Sequence, residues 1–242
     1  MEVHHHPELP DGHKKNFKEY LKEGLMIFLA VFMGFIAENI REHIADHRKE
    51  KEYIGSLVRD LKQDSAHLND VIHGNILLNK GQDSLINLLS DSTSSPHFQN
   101  EAYRLFFKYA TSLQVFNSTD RTITQMINSG NLRLIENQRV ADSISNYYDK
   151  VKEFGIQATM DNAVANDCFM FAQNLFKFQY GLKPRTFKKD MITTNTEMIN
   201  KYVNKLTEMR ISEQYYSQVD LKDLSKSCHN LIRFLSSEYG VE

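Results

Sequence analysis

Apolar residues follow two patterns along this chain, an unbroken run near the N-terminus and helix-period stripes from there to the end. Residues 20–40 read YLKEGLMIFLAVFMGFIAENI, and residues 24–37 within them carry no charge. The strongly polar residues of the stretch, Lys22, Glu23, Glu38 and Asn39, stand near its ends, where long side chains reach water. As a helix the stretch is roughly 30 Å long, about the thickness of a hydrocarbon core. A membrane anchor over residues 16–41 is the reading this predicts, with Phe17 and Tyr20 at one interface. A signal peptide fits less well, because no A-x-A cleavage site follows the run.

The predicted span has a face. Glu23, Ile27, Ala30, Gly34 and Glu38 fall on one stripe at helical spacing, with Ala37 beside them. Ala30 and Gly34 form a small-x-x-x-small pair, which lets two helix backbones approach closely in lipid. Ile27, Ala30, Gly34 and Ala37 are therefore the candidate self-association surface. Glu38 on the same stripe has two readings. It marks the membrane edge, or with Glu23 it forms carboxylate rings in an oligomeric pore or proton path.

Residues 42–53 lie in a nearly all-charged passage (REHIADHRKEKE begins at Arg41), read as a solvated helical stalk. His43 and His47 share a face there at a spacing that clamps one metal ion, but a zinc site needs a third ligand and no HExxH is present. The leader, residues 1–15 (MEVHHHPELPDGHKK), is expected to be disordered. His4, His5 and His6 make a second, weak candidate metal cluster in it.

From residue 54 onward the stripes predict a helical bundle, residues 54–242. The first helix carries Ile54, Leu57, Val58, Leu61, Leu68, Ile72, Ile76, Leu77, Leu85, Leu88 and Leu89 inward, with Gly74 and Gly81 as weak points. SDSTSSP, residues 90–96, is the clearest break in the chain. A helix over about residues 100–116 follows, with Tyr103, Phe106, Phe107, Ala110 and Leu113 inward. Ser118-Thr119-Asp120 reads as a cap for a short helix that Gly130 stops, and NLRLIEN as an irregular or extended passage. The next helix starts near Asn137 and is expected to run to Tyr180-Gly181, with Gly155 as a kink. KPRTFKK, residues 183–189, is a basic loop. In the last segment Asp220 and Asp223 resemble a capping box that divides two helices.

Composition narrows the function classes. The chain has 242 residues, 41% hydrophobic, and a mean hydropathy of -0.49, which fits one inserted segment on a soluble domain and excludes a multi-pass transporter. A formal net charge of -2 leaves no footprint for nucleic acid. Cys168 and Cys228 are too few for a disulfide framework, and their spacing leaves open whether they pair. No phosphate loop, GxSxG or paired Glu-x-x-His signature occurs, so neither an enzyme nor a cofactor is expected.

The pattern EVHHHP…HKKNFKEYL…MIFLAVFMGFIAENIREH…KEKEYIGSLVRDLKQD resembles the start of a large bacterial family of uncharacterised single-pass membrane proteins. Its relatives have a His-His-His-Pro leader, an apolar segment ending Gly-Phe-x-Ala-Glu and a charged helix, in that order. MINSGNLRLIENQRVADSISNYYD is similar to a stretch of a related domain of unknown function. The resemblance implies that His4, His5 and His6 are native, and that the chain is anchored in a membrane. It implies no activity.

The expectation is an all-α protein: an N-terminal transmembrane helix continuing into a long helix, then a bundle of about five further helices. The expected role is a non-catalytic, membrane-anchored interaction or scaffold protein whose partners are the bilayer, copies of itself and another, unidentified protein. The alternative is the pore built on Glu38. Lys14, Lys15, Lys18 and Lys22 nearly balance Arg41, Arg48, Lys49 and Lys51, and the basic leader tips the expected topology towards a periplasmic C-terminal domain at the bacterial inner membrane.

Overall fold

The computed structural model describes residues 16–91, 96–111, 114–182 and 189–241. Among these the chain is all-α, a long N-terminal apolar helix followed by a helical bundle. The α-helices are α1 (Phe17–Ser90), α2 (Pro96–Tyr109), α3 (Arg121–Asn128), α4 (Gln138–Ala172), α5 (Thr196–Tyr215) and α6 (Leu221–Tyr239). Short 3-10 turns lie at Asn131–Leu134 and Phe178–Leu182, and a π-turn at Tyr216–Asp220 joins α5 to α6. The chain divides into two compact units, Met1–Glu50 and Lys51–Glu242.

Local signals set most boundaries in the second unit. Proline suits the first turn of a helix, where its missing N–H has no partner to lose, and α2 begins at Pro96 rather than near residue 100. It ends at Tyr109, and Leu113 lies outside the described residues. Gly130, at φ 69°, stops α3 as expected by donating its N–H to the Ile127 carbonyl. Asn137 caps α4 by accepting from the Arg139 N–H at 3.1 Å, and Asn195 caps α5 by accepting from Met198 N–H at 3.1 Å.

The cap of α3 comes from elsewhere in the fold. Asp120 makes no capping bond with its side chain. The buried carboxylate of Asp60, on α1, accepts from the Thr122 N–H at 3.2 Å, the Thr122 hydroxyl at 2.6 Å and the Arg121 guanidinium at 2.8 Å. One turn on, Asp64 accepts from the Thr119 N–H at 2.6 Å. Burial opposes ionisation at Asp60, yet those hydrogen bonds outweigh it and hold the carboxyl below its ordinary range.

Three other expectations are corrected. Gly155 lies inside an uninterrupted α4, which ends at Ala172 and not at residue 181. The Asp220–Asp223 capping box does not form: Asp220 is helical, at φ -66° and ψ -53°, and caps nothing. A π-turn inserts its extra residue without freeing backbone donors, so no cap is needed there. Gly74 and Gly81 are not weak points but close approaches. A Cβ on Gly74 would fall 1.8 Å from Gln114 Oε1, and one on Gly81 2.0 Å from Tyr109 Cγ.

The core of this unit is in two parts. A first cluster gathers Ile54 to Ile72 of α1 with α3, the first half of α4, Tyr216 and α6. A second gathers Leu85 and Leu89 of α1 with α2, the end of α4, and α5. Cys228 belongs to the first and Cys168 to the second, and both are free thiols. Burial pushes Cys168 up to about 12 and Cys228 up to about 11, so both stay protonated.

Candidate functional site

Two places in the chain depart from what packing alone requires. The first is the apolar segment of α1 in the first unit. Among the described residues α1 is the one helix long and apolar enough to cross a membrane, and none of its apolar window is buried. Leu25, Met26, Ile27, Phe28, Val31, Phe32, Met33 and Phe35 are exposed on every side of it. Each large apolar side chain left in water forfeits about 1.5–3 kcal/mol, so roughly a dozen on one bare helix forfeit tens. By length and composition, this apolar segment could span a membrane.

The structure places the predicted interface residues as follows. Ile27, Ala30, Gly34 and Ala37 are all exposed, and a Cβ on Gly34 would meet nothing within 4 Å. Glu23 is half-buried. Glu38 is gripped by Arg41 of its own helix, whose Nε donates to Glu38 Oε2 at 2.9 Å and whose Nη2 donates to Oε1. His47 Nδ1 lies 3.1 Å from Glu50 Oε2. The described residues hold no group of three or more His, Cys, Asp or Glu arranged for a metal ion. His4, His5 and His6 lie outside them.

The second place is a polar layer between the two core clusters. All three long helical runs change cluster at the same level, and each carries buried polar groups there. On α1 these are Asn75, Asn79 and Gln82, between Ile72 and Leu85. On α4 it is Asp161, between Ala158 and Cys168, and on α5 it is Glu213, between Met209 and Tyr216. Leu77, expected inward, is 62% exposed because these amides occupy the inward positions.

Hydrogen bonds tie the layer together but do not satisfy it. Gln82 Nε2 donates to Glu213 Oε2 at 2.7 Å and to the Tyr109 carbonyl at 3.2 Å. Asn75 Nδ2 donates to the Gln114 carbonyl at 3.0 Å. Asp161 Oδ1 accepts from the Ser212 hydroxyl and from Gln157 Nε2. Asn75 Oδ1, Gln82 Oε1, Asp161 Oδ2, Glu213 Oε1 and both side-chain polar atoms of Asn79 are left without a partner among the described residues. A buried polar group without a partner costs on the order of 1–3 kcal/mol, so this layer is a costly level of the bundle.

Glu213 is the centre of it, only 1% exposed. Burial pushes its carboxyl up to about 7; the Gln82 hydrogen bond lowers it, nearby Asp161 raises it and Arg210 lowers it. Arg210 is itself engaged, donating to Asp83 at 2.7 and 2.9 Å. Glu213 also borders a cavity of about 220 Å³, whose rim carries Thr111, Asn162 and Asn166 and whose wall carries Phe169 and Met209. A larger cleft, about 320 Å³, lies between α4 and α6, but its Lys150 is held by Asp223 at 2.8 Å and Ser227 at 3.1 Å.

Nothing in the apolar stripes announces this layer. Its one signal is spacing: Asn75, Asn79 and Gln82 continue at i, i+4, i+7 the same inward stripe that holds Leu68, Ile72, Leu85 and Leu89. No family model, curated protein or solved structure matches the chain.

Proposed function

We propose that this chain is a non-catalytic, membrane-anchored interaction or scaffold protein. The anchor crosses the bacterial inner membrane once and holds the helical domain in the periplasm. Copies associate through the face formed by Ile27, Ala30, Gly34 and Ala37, and the bundle engages a further protein. The bare apolar segment of α1 carries this reading, since none of its window is buried by the rest of the chain. The resemblance of the N-terminal block to anchored bacterial proteins points the same way. Open space around Gly34 supports the association face, because a second backbone has room to approach there. The grip of Arg41 on Glu38 supports a membrane-edge position for that carboxylate rather than a pore-lining ring.

The test is fractionation followed by particle mass. The full chain stays with membranes through alkaline carbonate extraction, and runs in mild detergent as a defined oligomer. Replacing both Ala30 and Gly34 by Leu leaves it membrane-bound but reduces it to a monomer. Release by carbonate ends the anchor reading, and an unchanged oligomer in the double variant ends the interface reading. A phosphatase fused after Glu242, active only outside the cytoplasm, checks the side.

A further inference from the structure

We propose that the cavity beside Glu213 binds a small organic cation, a primary ammonium group on a short carbon skeleton, with the Glu213 carboxylate as its counter-ion. The site is built from the inside outwards. Gln82, fully buried, fixes Glu213 Oε2 at 2.7 Å, and Glu213 Oε1 has no partner among the described residues. The carboxylate is therefore held in place with one oxygen unpartnered, and Glu213 is among the residues that line the cavity.

The chemistry of the ligand follows from what the layer lacks. The oxygens Asn75 Oδ1, Asn79 Oδ1, Gln82 Oε1, Asp161 Oδ2 and Glu213 Oε1 are unfilled against one unpartnered donor nitrogen, Asn79 Nδ2, and of these residues Glu213 is the one that lines the cavity. Acceptors are in surplus, and an ammonium group brings three donors, a positive charge and no acceptor. The charges facing Glu213 agree. On α4 this is Asp161, with the uncharged thiol of Cys168 nearby; on α5 it is Arg210, already paired with Asp83 of α1.

The walls suit the remainder of such a molecule. Phe169 offers a ring to a cation, and Met209 and Ala165 offer apolar surface to a short carbon chain. The exposed Asn162, Asn166 and Thr111 at the rim tolerate water or a second polar group. At about 220 Å³ the cavity is smaller than the roughly 300 Å³ at which drug-sized sites begin, so the ligand is small. A bare metal ion fits poorly, because no three metal-ligating side chains converge among the described residues.

The experiment is a saturation-transfer NMR titration of the full chain in mild detergent. The probe is n-propylammonium chloride at about pH 8, where the Glu213 carboxylate is ionised. 1-Propanol and sodium chloride at equal concentration are the controls. Propylammonium binds saturably and the alcohol does not. Glu213→Gln, which keeps the shape and removes the charge, weakens binding about tenfold or more. Ala165→Met keeps the carboxylate, fills the cavity and also abolishes binding, while unchanged circular dichroism shows both variants folded. At about pH 5.5 the wild type binds more weakly, as protonation removes the counter-ion. Equal signals from propylammonium and propanol, or unaltered affinity in Glu213→Gln, overturn the proposal and leave the layer to water.

Discussion

Replacing Glu213 by Gln tests the polar layer through stability, with no ligand present. In the unfolded chain this carboxyl ionises near 4.5, and in the folded chain burial raises that to about 7. Between those values the native state holds a proton that the unfolded chain has released. Its contribution to stability is thus complete below about 4.5 and is lost as the pH rises through about 7. At about 1.4 kcal/mol per pH unit, the shift from 4.5 to about 7 amounts to about 3 kcal/mol. Gln keeps the shape and an oxygen for the Gln82 donor, but cannot ionise. At about pH 5 the variant and the wild type are expected to match to within about 1 kcal/mol, and at about pH 8.5 the variant to be more stable by up to about 3 kcal/mol. Urea unfolding of the full chain in mild detergent, followed by tyrosine fluorescence because Trp is absent, gives the comparison. Other buried acids, Asp64 and Asp220 among them, are also raised by burial, and subtracting the two proteins cancels them. A difference that is flat between those pH values refutes the reasoning, and so does a wild type that gains on the variant as the pH rises.

Two further comparisons use one assay, thermal unfolding followed by circular dichroism. Gly81→Ala and Gly155→Ala are the same change in two helix interiors, yet opposite outcomes are expected. At Gly155 the new Cβ meets open space and stabilises by about 0.5–1 kcal/mol; at Gly81 it overlaps the Tyr109 ring, and overpacking of about 1–3 kcal/mol outweighs that gain. Equal shifts at the two sites would show that α1 and Tyr109 are not in that close contact. Asp60→Ala removes the cap of α3 and costs about 2 kcal/mol, whereas Asp120→Ala, at the position sequence would choose, costs less than about 0.5 kcal/mol. A larger loss at Asp120 would return the cap to its own helix.

Features written in one stretch of chain were legible from the sequence. The apolar run of residues 24–37, the stop at Gly130 and the helix start near Asn137 each depend on neighbours within a turn or two, as do the helix-period stripes. The all-α class follows from those stripes and from the scarcity of Gly and Pro inside them. What depended on meetings between distant residues was not legible. Gly74 and Gly81 look like flaws in a helix until Gln114 and Tyr109 are seen against them. Asp120 looks like a cap until Asp60, 62 residues before Thr122, is found to hold the Thr122 N–H. Leu77 looks inward to any rule that sorts by apolarity, yet Asn75, Asn79 and Gln82 take the inward places. Local sequence determines which backbone hydrogen bonds form, because those join residues a few positions apart. Only the tertiary structure decides where a buried amide or carboxyl is worth its desolvation, because its partners arrive from other helices.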